Sequence, residues 1–285
     1  MRKAYVLLLL LVLTNCAVKE KQKGNPLLPV NKAAQDSIVE KYVKKGAWKY
    51  PIFAPEWQLY LDSAIRRDST IAYLYQQKSM PLFKQGKYEI AMPILDTAVL
   101  LDSLNWIDYR AFMKCIFVKS YRSALQDFAL SKKLKGIHGY VMDHSYDFYI
   151  GLCHLQLNEF DKAFPYFNAC VEYTKNKDGI KWVNHLDLFY AGVTQEEMKH
   201  HSEAIGYFDL ALTNYPGFSD AEFYKALSLM RSDNGTAATD WFLQSLKDFD
   251  AGRKFNEGNS KYEPYPYQVN ELHMNLIRPV LKKGQ

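Results

Sequence analysis

Cysteine is scarce, with four in 285 residues and none in a CxxC pair. That pattern argues against a zinc site and against a disulfide framework. Cys115, Cys153 and Cys170 each fall inside an apolar helical pattern and read as small buried hydrophobes, with a Cys153–Cys170 bridge left open. Catalytic spacings are missing too: no HExxH, GxSxG or phosphate-loop motif occurs. The seven histidines stand singly apart from His200-His201, and His138, Asp143 and His144 have no compact third and fourth ligand beside them. Glu196 and Glu197 are sequence neighbours, so on a helix they point to different sides, which is wrong for shared acid–base work. No catalytic residue, metal or cofactor is therefore expected. The formal charge of +5 is small, and no basic stripe of the kind that a nucleic-acid binder carries is visible. Even the longest apolar run, Ala4 to Leu13, is too short to cross a bilayer as a permanent helix.

That run does have a positive start, Met1-Arg2-Lys3, and ends in Leu13-Thr14-Asn15-Cys16. Such a segment reads as one that is cleaved rather than folded. The tetrad resembles a bacterial lipobox, with Asn15 where the family usually has Gly, Ala or Ser. The resemblance implies cleavage before Cys16 and acyl chains on that residue, enough to anchor a protein stably to a membrane. Ala17 follows instead of the aspartate that resembles an inner-membrane retention signal, which favours the outer membrane. Without residues 1–15 the chain keeps 270 residues and a charge of +3, since that segment holds two of the 36 basic residues and none of the 31 acidic ones. Residues 16–33, rich in Lys, Gln, Gly and Asn, read as a flexible tether.

Beyond the tether the chain repeats itself. Ala91, Ala124, Ala163, Ala204 and Ala238 are 33, 39, 41 and 34 residues apart. Four positions after each comes a large apolar residue (Leu95, Phe128, Phe167, Phe208, Phe242), and seven after each a small one (Ala98, Ser131, Cys170, Ala211, Ser245). Offsets of four and seven share one helix face, so each stretch offers a small-large-small stripe to a neighbour. About twelve positions before the alanines stand Ser79, Ala111, Gly151, Gly192 and Ala226, small enough for two helices to approach closely. An earlier copy shows in Leu61-Asp62-Ser63-Ala64-Ile65, echoed 34 residues later by Leu95-Asp96-Thr97-Ala98-Val99, which places helices at about 34–45 and 55–67.

This register resembles the tetratricopeptide repeat, a pair of antiparallel helices of about 34 residues. The resemblance spans roughly residues 71–250. It implies an all-α, right-handed superhelical solenoid of about five to six helix pairs over 34–250, followed in 251–285 by a loop and a C-terminal capping helix that covers the last apolar face. The longer spacings belong to insertions at 134–144 and 174–184, which should sit side by side on one edge.

Two surfaces are candidates for partners. The resemblance implies that the first helix of each pair lines a concave groove. There Phe148-Tyr149, Phe189-Tyr190 and Phe223-Tyr224 recur at one place, with Tyr109 and Tyr75 at matching sites, and a ladder of rings suits a peptide. The competing reading makes the same rings packing between repeats. The second surface is the insertion edge, where Lys132, Lys133, Lys135, His138, Lys175, Lys177 and Lys181 suggest a basic patch. The expected function is a lipid-anchored cell-envelope scaffold that binds protein or peptide partners without catalysis. The alternative is an accessory to glycan capture at the outer membrane.

Overall fold

The computed structural model describes residues 31–282. Cys16, the segment before it and most of the tether lie outside the described residues. Helix α1 (Lys32–Ile38) runs into a π-helical turn at Val39–Lys44, and α2 (Pro55–Arg67) starts on a proline, whose missing N–H costs nothing at a helix start. Five antiparallel pairs follow: α3 (Ala72–Lys84) with α4 (Tyr88–Leu101), α5 (Ser103–Ile116) with α6 (Tyr121–Lys135), α7 (Tyr146–Gln156) with α8 (Phe160–Asp178), α9 (His185–Glu197) with α10 (His201–Asn214), and α11 (Ser219–Arg231) with α12 (Gly235–Asp250). Helix α13 (Glu271–Lys282) packs against α12 as a cap.

The repeated alanines are all on second helices and all buried, as are the large residues four positions on. Their partners explain the small residues on the first helices. A methyl group on Gly151 would come within 2.8 Å of the Phe167 ring, and one on Gly192 within 2.7 Å of the Phe208 ring. In the α7/α8 and α9/α10 pairs the stripe is thus a lock of large residue against glycine. Phe128 and Phe167 are fully buried and stack on Tyr149 and Tyr190 at 5.7 and 5.6 Å, so each second helix also touches the next first helix.

Turns within pairs and connections between pairs are built differently. Two residues before each second helix stands one residue in the left-handed region: Gly86, Lys119, Asn158, Lys199 and Asp233. Four of these five are not glycine, so a tight turn recurs at some cost in strain. Between pairs, α6 and α8 end instead on Gly136 and Gly179, with φ of 103° and 96°, which only glycine adopts readily. After Gly136 comes a hairpin, β1 (Tyr140–Val141) and β2 (His144–Ser145), closed through Met142-Asp143. After Gly179 comes a 3-10 turn at Ile180–Trp182, pinned by the Asn214 amide, which donates to the carbonyls of Ile180 and Val183 at 2.9 and 2.8 Å.

The segment after α12 is more than a connection to the cap. Residues 252–270 run as a strap along the first helices, back to the start of the solenoid. Asp220, fully buried near the start of α11, accepts the backbone N–H of Phe255 at 3.0 Å and of Val269 at 2.7 Å, so one carboxylate clips both ends. Between them Tyr190 donates to the Pro266 carbonyl at 2.8 Å, Lys119 donates to that of Pro264 at 2.7 Å, and Tyr88 donates to Glu263. At the far end Tyr262 meets Phe53 edge-on at 6.3 Å. The strap buries Phe255 and Tyr265 as if they were residues of the solenoid.

Candidate functional site

On the concave side the aromatic pairs are present and the open groove is not. Phe148, Tyr149, Phe189 and Tyr190 are fully buried, and Phe223 nearly so. Each pair sits edge-to-face, with centroids 5.3, 5.0 and 5.6 Å apart. Tyr224 is half-buried between Phe189, Phe208 and Tyr267 of the strap, and Tyr109 is half-buried against Trp106 and Phe112. These rings pack repeat against repeat and against the strap, so in this conformation they offer no continuous apolar strip to another chain. Only a partner that displaced the strap would reach them.

The insertion edge is open. Both insertions meet there, with His138 from the first stacked on Tyr173 of α8 at 5.5 Å, and between them lies a cavity of about 230 Å3. Its rim is aromatic: Tyr140 is 58% exposed, Tyr173 48% and Trp182 75%. At the base of the hairpin, beside Tyr140, the backbone at Gly139 lies on the Tyr146 ring, where a methyl group would come within 2.0 Å. Tyr146 is in turn fixed by its hydroxyl, which donates to Asp108 at 2.7 Å.

Inside, the cavity is acidic. Asp143, Asp147 and Asp187 line it together with Ser145 and Cys170. Asp147 is paired with Lys132. Asp187 is only 8% exposed, and none of the described residues donates a hydrogen bond to its carboxylate. The N-cap duty at that helix start is taken by Asn184, which accepts from Leu186 N–H at 2.9 Å. Burial pushes the Asp187 carboxyl up to about 6, moderated by His144 nearby. Burial also raises the Cys170 thiol, which removes it as a nucleophile at neutral pH.

The expected basic patch is therefore corrected. Lys132 is spent on Asp147, Lys135 on Asp108 at 2.7 Å, Lys175 on Glu172 at 2.8 Å, and Lys177 lies 4.0 Å from Asp178. Four of the six lysines thus form local pairs, Lys133 and Lys181 have no carboxylate partner among the described residues, and the concave feature they surround carries carboxylates. Asp187, Tyr140 and Tyr173 were missed from the sequence, and the signal that existed was an aromatic in or beside each insertion.

Among the described residues no three His, Cys, Asp or Glu side chains converge as metal ligands do, and no helix is long and apolar enough to cross a membrane. Cys115, Cys153 and Cys170 are free thiols. Cys153 lies beside Cys115, with sulfurs 3.5 Å apart, and not beside Cys170.

Family profiles described as tetratricopeptide repeat match residues 149–177 and 188–217, the α7/α8 and α9/α10 pairs. The solenoid is of the tetratricopeptide-repeat type. A tetratricopeptide repeat protein from Parabacteroides merdae superimposes with a TM-score of 0.63 at 13% identity, over 89% of this chain and 87% of that one. PilW, a type IV pilus biogenesis factor, gives 0.60 at 10% identity over 76% and 94%. MamA from Desulfovibrio magneticus gives 0.53 at 15% identity over 63% and 96%. These likenesses show the fold. A search of curated proteins found no match.

Proposed function

We propose that this chain is a non-catalytic interaction scaffold of a bacterial cell envelope, anchored by lipid on Cys16, and that it meets partner proteins on the insertion edge. The observation that carries this reading is the contrast in occupancy: the strap fills the concave face, while the edge keeps exposed rings around a cavity. Tetratricopeptide solenoids serve generally as interaction modules, and large exposed aromatics on a rim are the residue types that anchor interfaces. The anchor rests on the charged start, apolar run and lipobox-like tetrad that end at Cys16.

A photo-crosslinking amino acid at Trp182 should capture a partner in the native envelope, and one at Ile90, exposed at the start of α4 where the turns within pairs lie, should not. Equal capture from both positions, or from neither, would remove the edge from the proposal. Separately, Cys16→Ser should release the protein from the membrane fraction. Unchanged fractionation with no acyl label on the parent would show the anchor to be wrong. The same exposed rings favour glycan capture as the second reading, and crosslinking to envelope polysaccharide instead of protein would select it.

A further inference from the structure

The insertion-edge cavity holds a negative charge that nothing answers. A carboxylate taken out of water is normally matched by a cation or by several donors, because its lost hydration is otherwise uncompensated. Two other places in this protein show how such a charge is answered. Lys225 is 8% exposed, and its ammonium pairs with Asp209 and lies 3.6 Å from the centre of the Trp241 ring. Lys132 likewise pairs with Asp147 while lying over Tyr166 at 5.5 Å. In both places the protein holds a cation between a carboxylate and an aromatic face, a combination that stabilises ammonium and guanidinium groups.

The cavity assembles the same two elements and lacks the cation. Asp187 lines it, a side chain more than nine-tenths buried whose carboxylate oxygens open only on the cavity and receive no hydrogen bond from the described residues. Asp143 stands exposed on the hairpin turn with no basic partner among the described residues. Tyr140, Tyr173 and Trp182 supply the aromatic faces. His144, also on the wall, is turned to the strap, its Nε2 3.1 Å from Glu257. Beside the mouth, Ile137 and Met142 are exposed and apolar, suited to the residues that flank a side chain on a polypeptide.

We propose that this cavity receives the basic side chain, arginine or lysine, of a partner polypeptide, with its cation against Asp187 and its stem between the aromatic rings. The proposal rests on reading the insertion edge as the partner surface. At about 230 Å3 the cavity has the scale of one side chain. A neutral sugar would stack on the same rings and offer Asp187 hydroxyl donors but no positive charge.

The test uses the full-length protein in mild detergent and two capped tripeptides, alanine-arginine-alanine and its citrulline analogue, which keeps the shape of arginine without the charge. Binding is read from tryptophan fluorescence, with Trp182→Phe to assign the signal. The arginine peptide should bind about ten-fold or more tightly than the citrulline peptide, as a charge-assisted contact requires. Asp187→Asn should abolish that preference while the protein stays folded, and Tyr140→Ala, at an exposed site, should weaken both peptides. Equal binding of the two peptides, no binding of either at millimolar concentration, or a preference unchanged in Asp187→Asn would overturn the proposal. So would a chito-oligosaccharide that binds in the cavity and survives Asp187→Asn. If the preference fails while crosslinking from Trp182 still captures a protein, the scaffold reading stands and only the cation is lost.

Discussion

Phe148, Tyr149, Phe189 and Tyr190 on the concave side, and Tyr140, Tyr173 and Trp182 on the insertion edge, are aromatic residues of one chain in opposite situations. The first group is buried and each ring has others within about 5 to 6 Å, part of the contact being made by the protein's own strap. The second group is about half or more exposed, around a carboxylate to which none of the described residues donates. A stripe of aromatics at helical spacing thus states only that rings will be together. Whether they form a core or a binding surface depends on what else reaches them, and here a distant segment reached one set and left the other.

The largest expected effect tests that contrast directly. Phe189→Ala should cost about 3 to 5 kcal/mol, because a fully buried ring leaves a cavity among packed neighbours. Trp182→Ala should cost less than about 0.5 kcal/mol, since that ring is already in water. Denaturant midpoints that moved equally for the two would mean that the concave and edge rings are not in different situations at all.

Next comes the clip that keeps the strap in place. Asp220→Ala leaves the N–H groups of Phe255 and Val269 without their acceptor, at a cost of about 1 to 3 kcal/mol each if they stay buried. The strap should therefore loosen, so hydrogen exchange should speed up at Phe255 and Val269, and protease should cut within 252–270 before it cuts the helices. Exchange that stays as slow as in the parent would show the strap to be held by its rings alone.

A smaller effect is expected at Asp187, with the opposite sign. Its carboxyl is held up at about 6 by burial, so the folded protein favours the neutral form. The stability that this contributes is complete below the unfolded value near 4 and is lost as pH rises through about 6. Asp187→Asn has no charge to bury, so it should be more stable than the parent by about 1 to 3 kcal/mol at pH 7.5. The gap in melting temperature should close by about pH 4. A variant less stable than the parent at pH 7.5 would mean that the carboxylate has a partner in solution. Stability given up at one residue is what a binding site looks like before its ligand arrives.

The smallest effect concerns the turns within pairs. Lys199 sits at φ 65° in a turn where its counterpart in the first full pair is Gly86. Lys199→Gly should stabilise by up to about 1 kcal/mol through relief of left-handed strain, partly offset by the greater freedom of glycine when unfolded. A clear loss of stability would show that the lysine side chain is used.

Most of the architecture was legible because it is local. The small-large-small stripe fixes which helix faces touch, and Gly151 against Phe167 and Gly192 against Phe208 are that stripe realised in space. Helix α2 falls at Pro55–Arg67, where the echo of Leu61-Asp62-Ser63-Ala64-Ile65 placed it. The two insertions meet, as neighbours on one edge of a solenoid must. The sign of the edge was misread, since counting lysines ignores the acids that each one finds: Lys132 looks free in the sequence and is paired with Asp147, 15 residues away, in the fold.

The sequence by itself determined the helix pairs, their order and the alanine register, because residues three, four and seven apart meet on a helix whatever the rest of the chain does. It could not determine the path of residues 252–270, a stretch of Gly, Asn, Pro and Tyr with no period to read. Tertiary structure decided it, through contacts such as Tyr88 with Glu263, 175 residues apart, and through two backbone groups that had no acceptor until Asp220 supplied one. The same holds for Asp187. In the sequence it is one of 31 acidic residues, and only the folding of two insertions around it makes it a carboxylate enclosed in a cavity with no donor among the described residues.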